Sequence, residues 1–369
     1  MSAGLLDGIE DILLMGPGPS NVPAPVLAAL ARPTIGHLDP HFLKIMDELK
    51  VSLQAIIGTS NKMTIPISGT GSAGMETSFV NIIERDDQVL ILSNGVFGKR
   101  MQDVAGRLGA RVDALEFEWG SPVVPEEASK KIGERDWKVV AIVHAETSTG
   151  VRNPVAEIGA LLKGRSALYL VDTVTSLGGI PVRMDEWGAD ILYSGTQKCL
   201  SCPPGLAPVS LSERAWAAVE GRKSKVPSWY LDLTMIANYW GQARVYHHTA
   251  PINMLYGLYE ALKVIRDEGL ELVFHRHAEA HAFLAEGLEK LGMKMLVQKE
   301  WRLPMLNSVI CPSGIDEASV RKRLRAEHRI EIGAGLGPLT GKIWRIGLMG
   351  HTARKENVER LLAALRKVL

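Results

Sequence analysis

Ala189-Asp190-Ile191-Leu192-Tyr193-Ser194-Gly195-Thr196-Gln197-Lys198 is the stretch on which the reading of this chain turns. Its apolar run is short enough for a buried strand, it stops in small hydroxyl and glycine residues, and the next long side chain is a lysine. Lys198 therefore belongs near the carboxyl end of a strand. Open α/β sheets gather their ligands there, and a lysine in a poorly solvated cleft can lose its proton and form a Schiff base with a carbonyl. A solvated lysine in a strand-to-helix loop is the plain alternative, so the neighbouring stretches have to decide.

Upstream, Ala167-Leu168-Tyr169-Leu170-Val171 reads as a second buried strand that delivers Asp172, followed by Thr173-Val174-Thr175-Ser176-Leu177-Gly178-Gly179. Two strand ends, one anionic and one aminic, then face one crevice. Pyridoxal phosphate chemistry needs that pair: a lysine to hold the aldehyde, and a carboxylate to keep the pyridine nitrogen protonated so that the ring accepts electrons. Alone, Asp172 is better explained as an N-cap for the following turn. Beside Lys198 the chemical reading gains.

A phosphate site is written earlier, in Ile65-Pro66-Ile67-Ser68-Gly69-Thr70-Gly71-Ser72-Ala73-Gly74-Met75-Glu76. Its glycines let backbone amides approach an anion, Thr70 and Ser72 bring hydroxyls, and the following helix points its positive end at the same place. No Gly-Lys-Ser/Thr follows, which excludes a nucleotide P-loop; a plain turn remains the alternative. Gln88 to Gly98 repeats the pattern of a buried strand ending in small residues and puts Phe97 at its carboxyl end, a ring that either stacks on a ligand or fills the core. Strands at Val112 to Phe117 and Lys138 to His144, separated by helical stretches at Gly98 to Leu108 and Val155 to Leu162, predict a doubly wound, mostly parallel sheet.

Composition narrows the partners. The 369 residues are 46% hydrophobic and carry a formal charge of +1, so neither disorder, nucleic acid nor an anionic membrane is indicated. No segment has transmembrane length, Met1 to Glu10 lacks the basic start of a signal peptide, and Lys367-Val368-Leu369 is not the usual peroxisomal tripeptide; the expected location is cytoplasmic. Three cysteines fit a reducing compartment. Cys199 and Cys202 form a CxxC, but only Cys311 remains as a further ligand, so we expect no metal and read the pair as small residues packed behind the lysine loop. His277-Ala278-Glu279-Ala280-His281 has its glutamate one place too late for a zinc-protease helix and reads as a solvated helix face.

Together, YSGTQK at 193–198, LVDTVTSLGG at 170–179, GPGPSN at 16–21, YHHTAP at 246–251 and GLGPLTGKIWRIGLMG at 335–350 resemble the class V aminotransferases of fold type I, nearest to the alanine-glyoxylate and serine-glyoxylate (serine-pyruvate) branch. The resemblance runs from about Leu14 to the C-terminus. It implies pyridoxal 5'-phosphate as cofactor, Lys198 and Asp172 as catalytic residues, a phosphate held by Thr70, Gly71 and Ser72, and Gln197 as a further cofactor-binding residue. It also implies stacking by Phe97, a hydrogen bond from Thr147 near the ring hydroxyl, and a homodimer in which Tyr246 and Thr249 reach the other subunit's cofactor phosphate. The arm around Gly18 and the segment at His37 would line the substrate pocket. Arg345 would bind the substrate α-carboxylate, a task for a planar fork that lysine cannot imitate.

The expected layout is an N-terminal arm at 1–20, a large cofactor-binding domain at 21–267 and a smaller α+β C-terminal domain at 268–369 in which Trp301 to Pro304, Ser308 to Ile310 and Ile343 to Leu348 alternate with helices. The expected activity is ping-pong transfer of an amino group from serine or alanine to glyoxylate or pyruvate. Related enzymes use hydroxykynurenine, ureidoglycine, aspartate or aminoethylphosphonate, or desulfurate cysteine, and these stand as alternatives. A redox or metal protein built on Cys199 and Cys202 is the non-enzymatic alternative.

Overall fold

The computed structural model describes residues 4–369, so Met1 to Ala3 of the expected arm lie outside it. Its central sheet has seven strands: β1 (Met63–Ser68), β2 (Gln88–Ser93), β3 (Arg111–Glu116), β4 (Val139–Val143), β5 (Leu168–Asp172), β6 (Ile191–Tyr193) and β7 (Leu206–Leu211). They lie in the order β1-β7-β6-β5-β4-β2-β3, and all neighbours run parallel except where β7 meets β1 and β6. A parallel sheet covered on both faces must be apolar throughout, and β4 and β5 are buried at every position. Edge strand β3 instead alternates between exposed and half-buried residues.

Helices Gly71–Val80 and Val96–Arg107 follow β1 and β2, and Val155–Leu162 connects β4 to β5. The carboxyl ends of β1, β2, β4, β5 and β6 therefore open on one edge, where every stretch singled out for chemistry emerges. β5 and β6 run in register, so that Asp172 stands directly beside Tyr193.

A second, antiparallel sheet is built from Lys294–Met295, Leu306–Ile310, Ile343–Gly347 and Gly333–Ala334, in that spatial order. Helices Leu270–Lys290, Glu317–His328 and Lys355–Val368 accompany it. One hydrophobic cluster extends from Val26 to Val273; another joins Ala280 through Val368 with Leu13 and Met15. The N-terminal segment ties the two regions together: Leu13–Leu14 pairs with Ile330–Glu331, Met15 accepts from Gly347 N at 2.7 Å, and Ser20 Oγ donates to the carbonyl of Lys198 at 2.8 Å.

Two expectations are corrected. Trp301 to Pro304 is not a strand: Lys299–Trp301 is a short 3-10 turn, and Arg302 and Leu303 make only isolated bridges. His277 is not on a solvated face. It is fully buried, bonded to the carbonyl of Val273 at 2.6 Å and accepting from Gly350 N at 2.9 Å, while His281 meets Asn307 Oδ1 at 2.6 Å. The helix turns this edge toward the second sheet, and burial pushes the His277 imidazole down to about 4.

Candidate active site

Lys198 stands just beyond β6 with only 8% of its surface exposed. Its Nζ donates to the carbonyl of Pro17, so the N-terminal segment is the wall against which the amine rests. Gly18 is required there: its φ is +102°, and a β-carbon would overlap the Lys198 side chain. Burial, reinforced by the positive field of Arg345, lowers the amine to about 8. An amine so placed is available as a nucleophile near neutral pH.

Arg345 lies on Ile343–Gly347 of the second sheet and is 7% exposed. Its Nε donates to the carbonyl of Ala334 at 2.7 Å and one Nη to that of Thr147 at 3.2 Å. Its direct partners are neutral carbonyls, and burial lowers it to about 10, with the negative field of Glu146 acting the other way. A buried guanidinium with no anion bonded directly to it is costly, and an arriving carboxylate would offset that cost.

Asp172 is buried at the end of β5, where burial raises it to about 6. Tyr193 Oη donates to its Oδ2 at 2.6 Å and Val174 N to its Oδ1 at 2.8 Å. The Tyr193 bond is absent from the sequence reading, although the β5/β6 register accounts for it. A second acid was also missed. Glu146, just past β4, is fully buried and raised to about 7, mainly by burial. Thr147 follows it with its hydroxyl 2.5 Å from that of Thr175.

At the end of β1, Thr70 is the N-cap of helix Gly71–Val80 but its side chain makes no capping bond. The first amides of that helix have no carbonyl of a preceding turn to bind. A β-carbon on Gly71 would press on Val174, and one on Gly195 would lie 2.8 Å from Gln197 Oε1. Gln197 Oε1 is itself buried without a partner. Arg100, another residue missed in the sequence, reaches Ser72 Oγ at 3.4 Å and lies over the half-buried Phe97 ring at 4.9 Å. Its charge helps to lower Asp172.

His37, Tyr246 and Thr249 form a separate, outward-facing group. The His37 and Tyr246 rings are 5.1 Å apart, and Tyr246 Oη lies 3.4 Å from Thr249 Oγ1. His248 Nε2 meets Ser68 Oγ at 2.8 Å, which fastens this segment to the end of β1. Cys199 and Cys202 are both free and buried, their thiols pushed up to about 12 by burial. Cys311 is half-buried and also raised by burial. Among the described residues no group of acidic, histidine and cysteine side chains could hold a metal ion.

This sheet order, with a buried lysine and aspartate at its carboxyl edge, defines a fold type I transferase of the pyridoxal phosphate class. The chain belongs to the aminotransferase class-V family, whose model matches residues 12–361, and pyridoxal phosphate dependence is a general property of that family. It is 40% identical to the (S)-ureidoglycine–glyoxylate transaminase of Bacillus subtilis (strain 168), over 96% of this chain and 90% of that protein. It is 41% identical to the alanine–glyoxylate aminotransferase of Callithrix jacchus, over 97% and 87%. The crystal structure of an alanine–glyoxylate aminotransferase from Nostoc sp. superposes with a TM-score of 0.97 at 46% identity, covering 100% of this chain and 97% of that one.

Proposed function

We propose that this protein is a pyridoxal-phosphate-dependent transaminase that moves the amino group of a small L-amino acid, alanine or serine, to glyoxylate, with pyruvate as the second candidate acceptor. The observation that carries the reading is the buried Lys198 amine, lowered to about 8, with Arg345 and Asp172 both close enough to act on it. The names of the relatives support glyoxylate as acceptor.

The residues present fit the cofactor. Thr70, Gly71 and Ser72 form a glycine-lined helix start suited to a phosphate, with Gln197 beside it. Phe97 and Val174 would flank the ring, Thr147 would meet its hydroxyl and Asp172 its nitrogen. When bound, the cofactor supplies the electron sink that makes the substrate Cα–H acidic. Asp172, held in orientation by Tyr193 and Val174 N, would supply the negative charge that keeps the ring nitrogen protonated. Arg345 takes the substrate carboxylate in its fork and fixes which bond at Cα is presented. The Lys198 amine would accept and return the Cα proton within a pocket closed by Pro17 and Gly18. The Gly18 wall limits the size of the donor, and His37, in the outward-facing group with Tyr246, would reach a substrate from the neighbouring subunit.

The site reads as shared between two subunits, with Tyr246 and Thr249 of one copy reaching the phosphate held by the other. Their exposure beside an otherwise buried site supports that reading. A cytoplasmic location belongs to the same reading and is supported by the three free cysteines. No described helix is long and apolar enough to cross a membrane. The test is glycine formation from glyoxylate with L-alanine or L-serine as donor. Glycine accompanied by pyruvate from alanine, or hydroxypyruvate from serine, is expected. Glycine formed only with (S)-ureidoglycine would overturn the donor, and no amino transfer from any of these donors would overturn the activity.

A further inference from the structure

Helix Val96–Arg107 carries Phe97 in its first turn, yet its N-cap is Gly95, which has no side chain to satisfy the leading amides. The cap comes from another part of the chain. Glu146 Oε2 accepts from Phe97 N at 3.2 Å, and Oε1 accepts both Ser148 N at 3.1 Å and the Ser148 hydroxyl at 2.6 Å. Ser148 Oγ in turn accepts from Val96 N at 3.0 Å. The fit is close enough that a β-carbon on Gly95 would overlap both Glu146 and Ser148.

Every named partner of Glu146 is a donor, and both carboxylate oxygens are used. A glutamine of the same shape would turn an NH₂ donor toward one of those donors and lose the bond. The carboxylate is therefore matched to this place, although its burial carries a desolvation penalty. Between Glu146 and Ser148 stands Thr147, whose carbonyl receives Arg345 and whose hydroxyl meets Thr175. One three-residue turn thus bonds to the Phe97 backbone on one side and to the guanidinium of Arg345 on the other.

We infer that Glu146 is a positioning residue that sets the plane of the Phe97 ring against the cofactor and, through Thr147, the seat of Arg345. The inference rests on the reading above in which Phe97 stacks on the pyridine ring. Glu146 itself touches neither cofactor nor substrate in this role.

The test uses full-length protein in apo and cofactor-loaded forms. For Glu146→Gln, the apo protein should still melt cooperatively. Its Kd for pyridoxal phosphate, followed by protein fluorescence, should rise about tenfold, the equivalent of one charge-assisted hydrogen bond. The visible circular dichroism of the bound cofactor, which reports ring orientation, should fall with it. In a Phe97→Ala background the same substitution should change Kd clearly less, because the Phe97 ring carries most of the effect. An unchanged Kd and dichroism, or an undiminished effect in the Phe97→Ala background, would overturn the inference. Should Glu146→Gln not fold, Ser148→Ala removes the hydroxyl half of the cap and is read in the same way with a smaller change. Failure of the wild-type protein to take up the cofactor would instead overturn the reading on which the inference stands.

Discussion

The Lys198 side of the site and the Tyr246 side are finished to different degrees within one chain. Lys198, Asp172, Glu146 and Arg345 are all buried, their charges shifted by that burial and their polar atoms bonded to named neighbours. Tyr246 is 56% exposed, and near it Trp229 and Tyr230 are exposed by 61% and 43%. Large aromatic surfaces left open in this way are the kind of face on which partners dock, and they set this side apart from the closed, water-poor cleft. Under the proposed shared site, one chain would supply the chemistry and a second copy would close the phosphate end.

The largest effect that would sharpen this contrast is Lys198→Ala, expected to lower turnover by about 10²–10⁴-fold while the protein stays folded. Full activity in that variant would break the account. Asp172→Asn should come close in turnover and also act on stability. The buried carboxyl is raised from 3.8 to about 6, so the folded state binds the proton more tightly than the unfolded chain. That contribution is complete below the unfolded value and is lost as pH rises through about 6. The apo variant should accordingly melt a few degrees higher than wild type at about pH 8, a gain that shrinks toward about pH 5. A gain that grows on acidification would contradict the assigned burial.

Arg345→Lys should raise the KM of the amino donor by about 10–100-fold, because a point charge replaces a fork that makes two bonds. A change confined to turnover would remove its carboxylate role. The next test concerns the open side. Lys198→Ala chains and Tyr246→Ala/Thr249→Ala chains, each impaired alone, should recover activity when unfolded and refolded together, since a mixed dimer contains one intact site. No recovery would mean that Tyr246 and Thr249 serve their own chain. The smallest effect is expected for Cys199→Ala with Cys202→Ala: turnover near wild type and no metal in the purified protein. Loss of activity on thiol alkylation of the folded protein would contradict their packing role.

What could be read in the sequence follows a physical divide. Asp172 ends an apolar run that forms a buried strand, Lys198 follows another and Arg345 interrupts a third, so local pattern marked them as candidates, and their roles came from the pairing of Lys198 with Asp172 and from the family resemblance. The sheet was legible for the same reason. Glu146 was passed over because its partners are backbone amides on a helix that follows a different strand, and Gly95 gives no local sign of a borrowed cap. The bond from Tyr193 to Asp172 depends on the register of β5 and β6, and Arg100 on how helix Val96–Arg107 lies over the end of β1. His277 was misjudged because a polar helix face reads as solvated until its neighbouring sheet is known.

The central claim is that Lys198 is the amine that holds the cofactor. Treating the protein with pyridoxal phosphate, reducing it with borohydride and mapping the modified peptide by mass spectrometry tests this directly. The account predicts a single stable pyridoxyl adduct on Lys198, lost when an amino donor is added before reduction. An adduct on a different lysine, or none at all, would contradict it.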